Sequence, residues 1–145
     1  MSGGALGLGL RGLAAACILA GPGAAQSADS TRSTRAGVYT ADQAARGSEV
    51  YALSCASCHT AATHTGPAFT AKWNGRPLAE LFDFIRESMP KNDPGSLSPR
   101  EYFLAMIYVL QMNGVPAGPD PLPADPAALQ RIRIDFAAPD TSHYR

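Results

Sequence analysis

Cys55-Ala56-Ser57-Cys58-His59 is the stretch on which the reading of this chain turns. The spacing C-x-x-C-H sets two thiols one helical turn apart and places an imidazole directly after the second. This is the attachment pattern of a c-type haem. Each thiol forms a thioether to a porphyrin vinyl group, and the histidine sits beneath the iron as its proximal ligand. Two other readings compete. A structural zinc site needs four Cys or His ligands, usually in paired clusters, and the chain has no second C-x-x-C. A dithiol redox pair of the thioredoxin kind calls for a βαβ context, which the hydrophobic pattern does not supply. Cys55, Cys58 and His59 are therefore the expected anchors of one covalently bound haem c.

On the amino-terminal side, Thr40 followed three residues later by Gln43 has the capping-box pattern. It predicts a helix running through Ala44, Gly47 and Tyr51 into the cysteines. Gly47, Tyr51 and Cys55 are spaced i, i+4, i+8 and share one face. A glycine within a helix costs about 1 kcal/mol relative to alanine, so another backbone is expected to press close at Gly47. Residues 27–37 lack apolar periodicity and read as a flexible lead-in.

Residues 1–26 read as a secretory signal peptide. Arg11 supplies the charge, Gly12 to Ala20 a short apolar core, Gly21-Pro22-Gly23 the break, and Ala24 and Ala25 the small residues of a cleavage site. An uncleaved anchor and a lipoprotein box at Cys17 are the alternatives. The apolar core continues past Cys17, which disfavours the box, and it is shorter than the ~18–20 residues that span a bilayer. Covalent haem attachment in bacteria takes place outside the cytoplasmic membrane, so signal and motif support each other. The expected location is the periplasm, with no transmembrane segment after cleavage. Loss of Cys17 leaves only the haem pair, and no thiol remains for a disulfide.

Downstream, Thr60 to Phe69 is rich in turn formers and contains Gly66-Pro67. A ligating histidine normally donates its second ring N–H to a carbonyl or carboxylate, and the Pro67 carbonyl is the candidate acceptor. His64 is expected to face water. Gly75-Arg76-Pro77 opens a helix in which Leu78, Leu81, Phe82 and Ile85 form an apolar face. Trp73, the only tryptophan, is a candidate to cover a haem edge and give its N–H to a propionate; plain core packing is the competing reading. Met89 ends the helix and precedes Pro90. A thioether sulfur opposite histidine suits haem iron and raises its reduction potential, so Met89 is the expected second axial ligand. Met106 and Met112 fall inside a helix, where methionine fills core gaps.

Ser98, Pro99 and Glu101 have the pattern of a capped helix start, and Asn113-Gly114 that of its end. Tyr108 is expected where Gly47 lets the helices approach. Residues 115–145 hold six of the twelve prolines, so this tail should be largely extended. Leu122 to Ile134 is apolar enough to dock, with Pro126 to Leu129 suited to a short helix and Ile132, Ile134 and Phe136 to an edge strand. The chain has 145 residues, a single-domain length. Its zero formal charge excludes the basic footprint of nucleic-acid binding.

In this order (a helix with Gly47 and Tyr51, then CASCH, Gly66-Pro67, Met89-Pro90 and a helix with Tyr108), residues 38–114 resemble a small class I cytochrome c. The strings WNGRPLAELFDFIRESMP and PGSLSPREYFLAMIYVLQMNG, with the LPAD tail, look more narrowly like bacterial monohaem cytochromes associated with periplasmic quinoprotein alcohol dehydrogenases. The resemblance implies an all-α cytochrome c fold of three to five short helices around one haem, followed by an extended, proline-rich tail. It implies Cys55 and Cys58 as attachment points, and His59 and Met89 as axial ligands. It implies a carrier of single electrons rather than an enzyme, working between a periplasmic dehydrogenase and a terminal oxidase or other redox protein. A haem subunit strapped to a dehydrogenase by its tail, and a sensor or catalyst with an open sixth site, are the alternatives. Phe103-Leu104-Ala105-Met106 departs from the family's pattern, which is more often polar there, and reads as a contact surface.

Overall fold

The computed structural model describes residues 31–136; the expected signal peptide, with Cys17, lies outside them. Helix α1 spans Ala41–Ser54. Its start is the capping box read from the sequence: the Thr40 hydroxyl accepts from the Gln43 amide, and the Gln43 side chain accepts from the Thr40 N–H. Two otherwise unpaired donors are satisfied together. Gln43 also exchanges two hydrogen bonds with the backbone of Leu122, which fastens the tail to the head of α1.

After the cysteines come a 3₁₀ turn, Ala61–His64, and helix α2, Pro67–Trp73. The sequence reading took 60–69 as turns and did not anticipate α2. Gly66 precedes it at φ 84°, a value glycine adopts without steric cost. Pro67 takes the first helical position, where its missing N–H is no loss. Helix α3 spans Leu78–Ser88, with Pro77 as its N-cap.

Helix α4, Pro99–Met112, opens with a second capping box, Ser98–Glu101, and stops at Gly114, whose φ is 76°. It is the central element, packing against both α1 and α3. Phe103, Leu104, Ala105 and Met106 are all buried in the core. The stretch read as a contact surface is therefore interior, since a helix enclosed on several sides must be apolar on all of them.

The tail does more than run extended. Helix α5, Pro126–Gln130, is capped by the Asp125 carboxylate, which accepts from the amides of Ala127 and Ala128. Strand β2, Ile132–Arg133, then pairs in parallel with β1, Arg32–Ser33. The helix reading of this segment holds, and the strand reading holds for Ile132–Arg133 but not for Ile134 and Phe136. The lead-in expected to be flexible is fixed from Arg32 onward. Thr34 is fully buried, its hydroxyl donating to the Asp135 carbonyl and accepting from the Asp135 amide. Ser33 donates to the Asp135 carboxylate. Backbone pairing holds this segment, so the absence of apolar periodicity did not predict its state. Leu122, Leu129, Ile132, Ile134 and Phe136 join the core, and the tail is part of the domain. Among the described residues, no helix is long and apolar enough to cross a membrane.

Candidate cofactor site

The end of α1 turns sharply. Cys55 is the C-cap residue, with its N–H on the Tyr51 carbonyl. The amides of Cys58 and His59 both donate back to the Cys55 carbonyl, at 3.1 and 3.0 Å. The turn brings Cys55, Cys58 and His59 to the wall of a cavity of about 610 Å³. Both thiols are free; Cys55 is half-buried and Cys58 exposed. Burial pushes the Cys55 thiol pKa up.

Met89 reaches the same cavity from the far end of α3. Its N–H donates to the Ile85 carbonyl, and its own carbonyl accepts from the Tyr102 hydroxyl at 2.7 Å. Tyr102 also accepts from the Leu97 amide. One buried phenol on α4 thus gathers both sides of the loop that carries Met89. The sequence reading gave Tyr102 no role. Nothing local marks it, because its partner lies thirteen residues upstream.

Trp73 lines the cavity and is 2% exposed. Phe69 and Phe84 flank it, with ring centroids 6.4 and 5.3 Å away. The Lys72 ammonium lies 4.1 Å from the Phe84 centroid and 4.9 Å from that of Trp73, while the Arg76 guanidinium is 4.9 Å from Trp73. These are cation–π distances, so two cations stand against this aromatic wall. The tail supports the wall from behind. Phe136 packs on Phe69, its amide donates to Asn74, and Gly75 and Arg76 exchange backbone hydrogen bonds with Ile134.

One expectation, that for His64, needs correction. Pro67 is exposed and lies outside the cavity wall. The Thr70 hydroxyl stands 3.1 Å from the Gly66 carbonyl and 3.2 Å from that of Pro67. His64 does not simply face water: it lines the cavity with its ring centroid 4.6 Å from that of His59. Its Nδ1 is 3.0 Å from the Tyr51 hydroxyl. Burial, with a smaller contribution from His59, holds the His64 imidazole below the ordinary histidine range. Burial likewise raises the Tyr51 phenol.

Two thiols, two imidazoles and a thioether thus line one cavity whose further walls are largely aromatic and aliphatic. The volume is that of a small-molecule or cofactor site, and soft sulfur with imidazole suits haem iron. Among the described residues, no three His, Cys, Asp or Glu side chains group as a metal site, so the zinc reading gains nothing. The family model described as "Cytochrome C oxidase, cbb3-type, subunit III" matches residues 42–109. Those residues form a c-type cytochrome domain. The match begins in the first turn of α1 and ends in the last turn of α4, so it takes in every cysteine, histidine and methionine of the cavity wall. The chemistry of such a cytochrome domain is haem-based electron transfer. The lead-in and the tail lie outside the match. No curated protein and no solved structure matches the chain.

Proposed function

We propose that this chain is an exported, periplasmic monohaem cytochrome that carries single electrons from a periplasmic dehydrogenase toward the respiratory chain. One observation supports the reading most strongly. Cys55, Cys58, His59 and Met89, spread over thirty-five positions of sequence, line a single cavity of about 610 Å³. Cys55 and Cys58 would hold the porphyrin by thioethers, and His59 and Met89 would ligate its iron. When bound, the haem supplies a one-electron couple. With an imidazole and a thioether both ligating the iron, the protein would offer a substrate no open coordination site. The thioether side raises the potential of the couple. Trp73, with Lys72 and Arg76 beside it, suits the carboxylate edge of the group, while Phe69, Leu81 and Ile85 exclude water.

The family description names an oxidase subunit, which is in keeping with an acceptor on the terminal-oxidase side. Attachment to a larger complex through the tail is the weaker reading, because the tail is already engaged along Leu122 to Phe136 with the chain's own α1, α2–α3 turn and lead-in.

Expression of the full chain in a bacterium with a haem-attachment system, followed by intact mass and a visible spectrum, tests the proposal. The expected product is coloured, shorter by its leader, and heavier by one haem that survives denaturation. A folded, colourless product without that added mass overturns it. Elution as a monomer at high salt is expected of the carrier; salt-resistant copurification with a dehydrogenase would favour the subunit.

A further inference from the structure

We propose that Arg32, Arg35, Arg131 and Arg133, gathered by the pairing of β1 with β2, form a docking surface for an acidic face of a redox partner protein. The inference rests on the electron-carrier reading above and deepens it by naming the chemistry of the partner. The parallel pairing sets Ser33 beside Arg133, and the Arg32 amide donates to the Arg131 carbonyl at 2.9 Å. Arg35 follows in the 3₁₀ turn Thr34–Ala36. All four arginines are exposed. Among the described residues none of them has an ion-pair partner, whereas Arg46, Arg76 and Arg86 each have one. Asp135, the carboxylate within the same segment, accepts from the Ser33 hydroxyl.

Stability does not account for this gathering. Like charges brought together across paired strands are destabilising, and each strand here is only two residues long. Buried Thr34, Ile132 and Ile134 hold the pairing from within, while the charges outside work against it. The chain's formal charge is zero, so four arginines in one place make a local positive end rather than a generally basic surface. Both strands also lie outside residues 42–109. The patch is therefore an addition to the cytochrome domain, carried by the lead-in and the tail.

Its position points to a partner that exchanges electrons. The Arg133 guanidinium donates to the Gly75 carbonyl at 2.9 Å, and Phe136 packs on Phe69 with centroids 6.0 Å apart. Phe69 and Trp73 line the cavity, so a partner seated on the patch faces the cofactor site across one layer of aromatic rings. A lipid surface would gain nothing from that placement. Nor does the patch carry an apolar anchor of the kind that membrane-surface binding uses: the exposed large apolar side chains among the described residues are Leu53 and Phe84, and neither belongs to the paired strands. Guanidinium forks match carboxylates in bidentate pairs. Complementary charge of this sort speeds encounter and fixes orientation more than it tightens a complex, which suits brief electron exchange.

The test uses the full-length, haem-loaded protein, with loading checked by mass, and poly-L-glutamate as the acidic probe. Wild type is expected to bind the probe in low salt, by isothermal titration calorimetry, and to release it as salt rises. The triple variant Arg32→Gln, Arg35→Gln, Arg131→Gln should bind about tenfold more weakly; Arg133 is left in place because its guanidinium holds Gly75. The triple variant Arg46→Gln, Arg86→Gln, Arg100→Gln removes the same charge from other surfaces and should lose less than about twofold. Ferricyanide, an anion that takes one electron from ferrous iron and becomes ferrocyanide, should oxidise the first variant more slowly than the second. Should the first variant fail to fold, its three single substitutions carry the test, at about twofold each. Equal losses in the two triple variants, or no binding by wild type, would overturn the inference and leave the haem reading intact. Tighter binding to phosphatidylglycerol vesicles than to poly-L-glutamate would overturn it by making the patch a lipid-facing surface. A wild-type product without haem would instead overturn the functional proposal.

Discussion

A Cβ added at Gly47 would stand 2.2 Å from the carbonyl oxygen of Leu104 and 3.0 Å from the Cβ of Tyr108. Helices α1 and α4 therefore cross backbone to backbone, and no side chain at position 47 can be fitted without parting them. Gly47→Ala gains about 1 kcal/mol of helix propensity yet forces an atom into a main chain that cannot yield, and overpacking of this kind costs about 1–3 kcal/mol or more. We expect a net loss of roughly 1–2 kcal/mol from these opposed effects, and a larger one for Gly47→Val. Denaturant titration followed by far-UV circular dichroism measures it; an alanine variant more stable than the wild type would show that the crossing is loose.

Ile134 is fully buried, and its backbone pairs with both Gly75 and Arg76. Ile134→Ala should cost about 2–5 kcal/mol, the range for emptying a core site of this size. Trp73, the single tryptophan, reports on the wall that Ile134 supports. In the haem-loaded protein its emission, quenched in the folded state, is expected to rise at lower denaturant than in the wild type. Coincidence of the two unfolding curves would show the tail to be dispensable.

Met89→Ala, in the haem-loaded protein, is expected to lose the long-wavelength charge-transfer band of ferric iron bound by a thioether. It should also lower the potential and let carbon monoxide bind the reduced form readily. Retention of the wild-type band would move the ligand elsewhere. Tyr102→Phe keeps the sulfur but frees the Met89 carbonyl. It should weaken the band without abolishing it.

Glu101 accepts hydrogen bonds from the Ser98 hydroxyl and amide, and these hold its carboxyl below the ordinary glutamate range. A depressed carboxyl contributes stability that is present above its unfolded value and lost as pH falls through its folded one. The midpoint difference between wild type and Glu101→Gln should therefore be largest near neutrality and shrink in acid. The residue is only partly buried, so the effect is small; a difference independent of pH would assign the cap to packing alone.

The features that sequence displayed are those decided within a few residues. Thr40 with Gln43, Ser98 with Glu101, and Gly114 past the last turn each set a helix end by local hydrogen bonding or backbone freedom. C-x-x-C-H was equally legible, being a chemical pattern as well as a structural one. Helix α2 escaped because its N-cap and first residue, Gly66 and Pro67, are also common turn formers, and seven residues give little periodicity. The placement of His64 and the pairing of Arg32 with Ile132 depend on partners far along the chain: Asn113, forty-nine residues from His64, and a strand one hundred residues from β1. No local rule reaches that far.

The clasp between Arg32–Ser33 and Ile132–Arg133 orders events in time as well as in space. Contacts so distant along the chain form late, since loop closure must precede them. A polypeptide emerging amino end first has displayed residues 55–59 long before residue 132 arrives to brace the Phe69–Trp73 partition. The wall of Phe69 and Trp73 is thus braced only after the stretch that carries the thiols has been made.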